Sequence, residues 1–170
     1  TSSLITQTLT NQNQFYNITP SGINWTSPVT PNGFVFNQSN GQISPLYSTR
    51  CYINVAISFS TGTSSTGDLI FQVYKNNSPL NGAKMIASVQ NTDIEDLSIS
   101  CLDDVSGNLP FGGDTYDVRV ACSNRTSYQF ILQTSTITFT STTGQAGPTG
   151  FTGATGHYGY TGYTLSLIHI

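Results

Sequence analysis

Arg50-Cys-Tyr-Ile-Asn-Val-Ala-Ile-Ser-Phe-Ser60 alternates without a break, with Cys51, Ile53, Val55, Ile57 and Phe59 at odd positions against Tyr52, Asn54, Ala56 and Ser58. Successive side chains of a strand point to opposite faces. A two-residue period of this length therefore predicts a strand with one face in a core and the other outside it. The same period recurs in Leu69, Phe71 and Val73, in Leu97, Ile99 and Cys101, and in Tyr116, Val118, Val120 and Cys122, where Asp117 and Arg119 are expected to face outward. It continues in Tyr128, Phe130 and Leu132, then changes parity to Ile137 and Phe139, which predicts a bulge or bend between Gln133 and Thr136. With residues 33–37 and 85–89 this makes eight or more strands between Gly, Pro, Asn and Ser punctuation, and no segment has helical periodicity. The expectation is an all-β, two-sheet antiparallel jelly-roll sandwich over residues 33–140. Residues 1–32 are less patterned and are expected to be edge strands, or in part a linker.

A second pattern begins at Gly144. It continues through Gly147, Gly150, Gly153, Gly156, Gly159 and Gly162, a glycine opening each of seven consecutive triplets. Only glycine fits the axis where three extended strands wind together, so the period predicts a collagen-like triple helix, and with it a trimer. A flexible linker has no reason to space its glycines in this way. The seven triplets would extend roughly 65 Å at about 3.1 Å per residue. Threonine ends five of them, open to O-linked sugars, and proline occurs once, at Pro148. The stalk is thus read as residues 141–164. Leu165 breaks the period, and residues 165–170 resemble translated adaptor sequence from an environmental, metagenomic assembly; they are expected to be a non-native end, or else a short apolar plug. The chain starts at Thr1 without methionine and shows no apolar run long enough for a membrane span, so it is expected to be a piece of a longer protein.

The segments Arg50 to Ser60, Leu69-Ile-Phe-Gln-Val-Tyr-Lys-Asn-Asn77, Gly113-Asp-Thr-Tyr-Asp-Val-Arg-Val120 and Thr136-Ile-Thr-Phe139 together resemble the jelly-roll heads of the tumour-necrosis-factor-like superfamily, including the globular heads of complement's collagenous first component. The resemblance covers about residues 33–140 and implies a homotrimer in which the outward face of one sheet packs against neighbouring subunits. The Thr- and Tyr-rich triplets are similar to collagen-like surface proteins of giant DNA viruses and bacterial spores. In complement-type proteins the stalk precedes the head, whereas here the head comes first.

Composition narrows the chemistry. Charged residues make up 8% of the chain and the net charge is −3, so solubility rests on Ser, Thr, Asn and Gln. Five basic residues, scattered from Arg50 to Arg125, cannot form the stripe that nucleic-acid binding needs. The histidines are His157, within the triplets, and His169, in the suspect end, so the head has no base for a Ser-His or Cys-His nucleophile, and an enzyme is not expected. Cys51, Cys101 and Cys122 fall on the apolar parity of their strands and read as small buried hydrophobes, with Cys101–Cys122 as the disulfide to test. No cofactor is expected, with one reservation. The acids fall mostly in expected loops, and Asp103, Asp104, Asp114 and Asp117 could offer calcium hard oxygen ligands, as some related heads do; for Asp114, after two glycines, the preferred reading is a side chain that accepts backbone hydrogen bonds in a turn. Asn-x-Ser/Thr triplets at Asn17, Asn24, Asn37, Asn76 and Asn124 are no more than this composition produces by chance.

Tyr52, Tyr74 and Trp25 are expected on the surface, as trimer interface or as sugar-stacking contacts. The function expected first is a structural surface-fibre or adhesin module, extracellular on a virion or cell surface, whose trimeric head registers and nucleates the stalk. The alternative is a soluble complement- or cytokine-type head that binds a host glycan or surface protein, and the third reading is a carbohydrate-active enzyme with paired carboxylates.

Overall fold

The computed structural model describes residues 4–18, 34–37, 41–62, 66–90, 93–107 and 113–142. Trp25 and residues 165–170 lie outside them, and so do the triplet glycines Gly144, Gly147, Gly150, Gly153, Gly156, Gly159 and Gly162, together with the triple helix expected of them. The described residues form ten strands and no helix: β1 (Ile5–Leu9), β2 (Tyr16–Asn17), β3 (Phe34–Asn37), β4 (Gln42–Pro45), β5 (Thr49–Thr61), β6 (Gly67–Lys75), β7 (Ser78–Val89), β8 (Glu95–Val105), β9 (Tyr116–Cys122) and β10 (Tyr128–Ser141). One sheet runs β1-β10-β5-β8, and the other runs β3-β4-β9-β6-β7 with β2 also paired to β9. Every pairing is antiparallel. From β5 onward the chain passes back and forth between the sheets, and its last strand lies between β1 and β5, an order consistent with a jelly-roll sandwich.

The alternation of residues 50–60 places β5 at the centre of the first sheet, its odd residues buried against Leu69, Phe71, Val73, Val118 and Val120 of the second. Phe59, Phe71 and Phe130 meet with ring centroids 4.9, 5.6 and 5.8 Å apart. A second aromatic bridge joins Phe34 and Tyr116 of one sheet to Phe139 of the other, at 4.7 and 5.4 Å. The pairing of β10 with β5 shifts register between Leu132 and Thr134, inside the interval where the parity of the sequence changes. The added residue turns Ile137 and Phe139 back toward the core. The segment read as edge strands or linker supplies β1, whose five residues pair with β10, and the fully buried Leu9 and Ile18.

Three expectations change. Tyr74 lies on the outer side of its sheet but is only 8% exposed, because Phe15 is carried over it just before β2 joins β9; the Phe15 ring stands edge-on to it at 5.6 Å. Asp117 and Arg119 also point outward without reaching free solvent: Asp117 is 3% exposed, and Arg119 donates to both of its oxygens at 2.7 and 2.9 Å while lying 4.1 Å from the Tyr74 ring centre. Finally, all three cysteines are free thiols, and Cys101 and Cys122 belong to different sheets at opposite ends of the sandwich, which rules out the disulfide between them. Burial, and secondarily the charge of Asp103, pushes the Cys51 and Cys101 thiols up and makes them poor nucleophiles.

The three-ring cluster ties both sheets together at full burial. Phe71→Ala is expected to cost about 3–5 kcal/mol, read from the urea midpoint at unchanged slope.

Candidate functional site

The end of the sandwich at which β10 terminates collects most of the charge. Lys75 closes β6, and the next two residues, Asn76 and Asn77, turn the chain into β7 with φ of 52° and 63°. Asparagine tolerates this left-handed region, and two such residues between paired strand ends match their twist. The turn delivers the Lys75 ammonium to the ends of β8 and β9. There its nitrogen lies 2.9 Å from Asp103 and 3.1 Å from Asp114, and donates to the Asp104 carbonyl at 2.7 Å. An ammonium has three protons, and this geometry uses all of them.

Each partner is held in turn. Asp103 accepts the Tyr116 hydroxyl at 2.6 Å. Asp114 accepts the Ser106 amide and the Asn76 side-chain amide, both at 2.7 Å, while its own amide donates to the Ser106 carbonyl. Asp114 thus accepts a backbone hydrogen bond, as its sequence position suggested, but from Ser106, eight residues earlier, and not within a local turn. Burial pushes its carboxyl up, but these hydrogen bonds and the Lys75 charge outweigh burial and hold it below the ordinary aspartate value. For Lys75 the same contest is between burial, which disfavours its charge, and Asp103 and Asp114, which prevail and raise its pKa. Burial first, then the bond to Asp103, drives the Tyr116 hydroxyl far above the ordinary tyrosine value, so it stays a donor.

The four aspartates considered for calcium are therefore distributed among three cations. Asp103 and Asp114 share Lys75, Asp104 pairs with Arg50 at 2.7 Å, and Asp117 pairs with Arg119 on the other sheet. A metal ion between Asp103 and Asp114 would have to displace the ammonium. Among the described residues no three His, Cys, Asp or Glu side chains gather as a metal-ion cluster.

Beside this network the outer face of the first sheet is a grid of short side chains. Across β10, β5 and β8 its rows read Thr134, Ser58, Asp96; Thr136, Ala56, Ser98; Thr138, Asn54, Ser100; and Thr140, Tyr52, Leu102. Over the first two rows lies an open depression of about 330 Å³, lined by the hydroxyls of Ser58, Ser98, Thr134 and Thr136 and by Asp96, together with the apolar Ala56, Ile57 and Leu97. The last row is a ridge: Tyr52 is 56% and Leu102 46% exposed. Immediately beyond it β10 ends at Ser141, and Thr142 donates both its amide and its hydroxyl to the Arg50 carbonyl, at 2.8 and 3.0 Å. Sequence reasoning found Tyr52 but not Leu102, although Leu102 breaks the polar parity of Ser98 and Ser100. It also read Lys75 as one of a few scattered bases.

No family model matches the sequence, and no curated protein matches it. Among solved structures, the chain is similar to Eiger TNF from S. frugiperda, with 11% identity and a TM-score of 0.47 over 79% of this chain and 87% of that one. It is also similar to the arabinose-bound α-L-arabinofuranosidase MgGH51, with 15% identity and a TM-score of 0.39 over 62% of this chain and 20% of that one.

The ionic end should set the acid limit of stability. A carboxyl whose folded pKa is depressed contributes stability above its unfolded value and loses it as pH falls through the folded one. Resistance to urea is expected to fall progressively below about pH 4, and Asp114→Asn should flatten that limb. Lys75, whose pKa is raised, contributes throughout this range and loses its share only in strong alkali. Lys75→Met at pH 7 should cost about 1–3 kcal/mol, because it strips the partner from two carboxylates.

Proposed function

We propose that the protein is a non-catalytic, extracellular fibre module of a virion or cell surface, in which three copies of the sandwich associate and register a collagen-like stalk. The observation that carries this reading is the junction: β10 ends at Ser141, the next residue Thr142 is pinned to the Arg50 carbonyl, and the strict glycine period begins two residues later at Gly144. A triple helix needs three chains at one point in matched stagger. Anchoring Thr142 to Arg50 fixes where each chain starts.

The Tyr52–Leu102 ridge lies one row in from the Arg50–Asp104 pair to which that start is tied, and is the contact through which copies would meet. Tyrosine suits such a place, since it buries a large ring at small entropic cost and keeps a hydroxyl for the rim. The rows of Ser, Ala and Thr beside it leave backbones free to approach. Once three chains are joined, any surface they present appears in triplicate, and weak contacts gain from effective concentration.

Sedimentation of the full chain at micromolar concentration should give three times the 18.2 kDa chain mass, and a monomer there would overturn the reading. Tyr52→Asp combined with Leu102→Asp is expected to weaken the trimer by more than about tenfold in dissociation constant, each decade being about 1.4 kcal/mol. Gly153→Asp should instead lower only the melting of the collagen circular-dichroism signal, with the sheet signal unchanged.

A further inference from the structure

The edge strand β7 contains a break that its neighbours lack. Its pairing with β6 runs from Gly67–Val89 to Gln72–Lys84 and resumes at Tyr74–Pro79, so that residues 80–83 stand opposite Val73 alone. Bulges leave residues without ladder partners. In this one Asn81 and Gly82 are both exposed, Gly82 has a φ of 78°, and a side chain built on it would meet nothing within 4 Å. The dipeptide thus combines a carboxamide, a following nitrogen with no side chain to shield it, and open solvent.

We propose that Asn81–Gly82 is a site of spontaneous deamidation. The Gly82 backbone nitrogen attacks Asn81 Cγ; a C–N bond forms, the bond from Cγ to Nδ2 breaks, and the proton lost by the Gly82 nitrogen departs with the ammonia released. Water then opens the cyclic imide at either carbonyl, returning a proton to the Gly82 nitrogen and leaving aspartate or isoaspartate at position 81. No enzyme, oxidant or cofactor enters the balance. The product adds one negative charge to a chain of net charge −3. The isoaspartyl form also lengthens the backbone of an edge strand that already exposes Met85 and Ile86.

Other asparagines are restrained by contrast. Asn54 accepts hydroxyls from Ser98 and Ser100, Asn76 is bonded to Asp114 and Thr115, Asn77 accepts from Arg119, and Asn124 is bonded to Asp68 through both side-chain atoms. Each is also followed by a residue with a side chain: Val55, Asn77, Ser78 and Arg125. Asn32–Gly33 and Asn40–Gly41 repeat the reactive dipeptide in the sequence, and peptide mapping separates them from Asn81.

The test is to hold the folded full-length protein at mildly alkaline pH and 37 °C, digest samples over time, and follow each asparagine peptide by mass and by isoaspartyl methyltransferase labelling. The peptide containing Asn81 should gain the amide-to-acid mass and the label in a first-order, base-accelerated course. Asn81→Ser should remove that label, and Gly82→Ala should slow it several-fold. Because alanine at a φ of 78° is strained, Asn81→Ser and the wild-type time course carry the test if Gly82→Ala does not fold. An Asn81 peptide that stays amidated in the folded protein, or converts only in denaturant, overturns the proposal.

Discussion

The sandwich depends on the two-residue period of β5. Its five odd-numbered apolar side chains form the floor on which the second sheet rests, and its even-numbered ones form the middle column of the outer grid. A slip of one residue would exchange Ile53, Val55 and Ile57 for Tyr52, Asn54 and Ala56 on the buried side. Pairing on both flanks blocks that slip, with β10 on one side and β8 on the other. The bulge in β10 is a consequence of the same constraint. Fourteen residues cannot keep both Phe130 and Phe139 inward by strict alternation, since the two differ in parity, so one residue has to be absorbed between them.

At the ionic end the deciding balance is between burial and pairing. Taking an ammonium and two carboxylates partly out of water is costly unless every proton and most lone pairs find partners. Lys75 meets that condition through Asp103, Asp114 and the Asp104 carbonyl, and the carboxylates meet it through Tyr116, Ser106 and Asn76. The network draws on β6, β8 and β9 and on the segments around Ser106 and Asp114. Its worth therefore lies as much in fixing their mutual positions as in net energy. The exposed Arg50–Asp104 pair is different: solvent screens it, and such pairs contribute about 0–1 kcal/mol. Its backbone matters more, because the Arg50 carbonyl is what Thr142 binds.

The strands were legible because their signal is local. Parity along β5, β6, β8, β9 and β10 reports which side is buried, and a change of parity reports a bulge. What could not be read is whatever depends on a distant segment crossing a face. Tyr74, Asp117 and Arg119 occupy outward positions, as alternation requires, yet Phe15 comes from nearly sixty residues earlier to cover Tyr74. Parity tells direction and not depth. The Lys75 centre was hidden for a related reason, since Asp103 and Asp114 reach it only through a fold that brings residues 28 and 39 positions away to the end of one strand. Of the candidate sites, Tyr52 was legible from its parity alone, and Leu102 became its partner only through the register of β8 on β5.

In the proposed trimer the glycine period would make a demand that these strand-level features could meet. Ordering an extended chain costs about 1–2 kcal/mol per residue in backbone entropy, and proline, which would pre-set that conformation, is present once in the seven triplets. Three such chains meeting from solution would bear the full cost of association and of staggering before forming their first interchain contacts, much as a helix must fix a turn before its first bond repays it. A sandwich that already holds Thr142 at a set point removes the freedom of the chain start. Association of three sandwiches near Tyr52 and Leu102 would remove the freedom of relative position. In the proposed trimer, what would be left for the triplets is propagation, in which each Gly-x-y unit would have only to fit against two neighbours already in place.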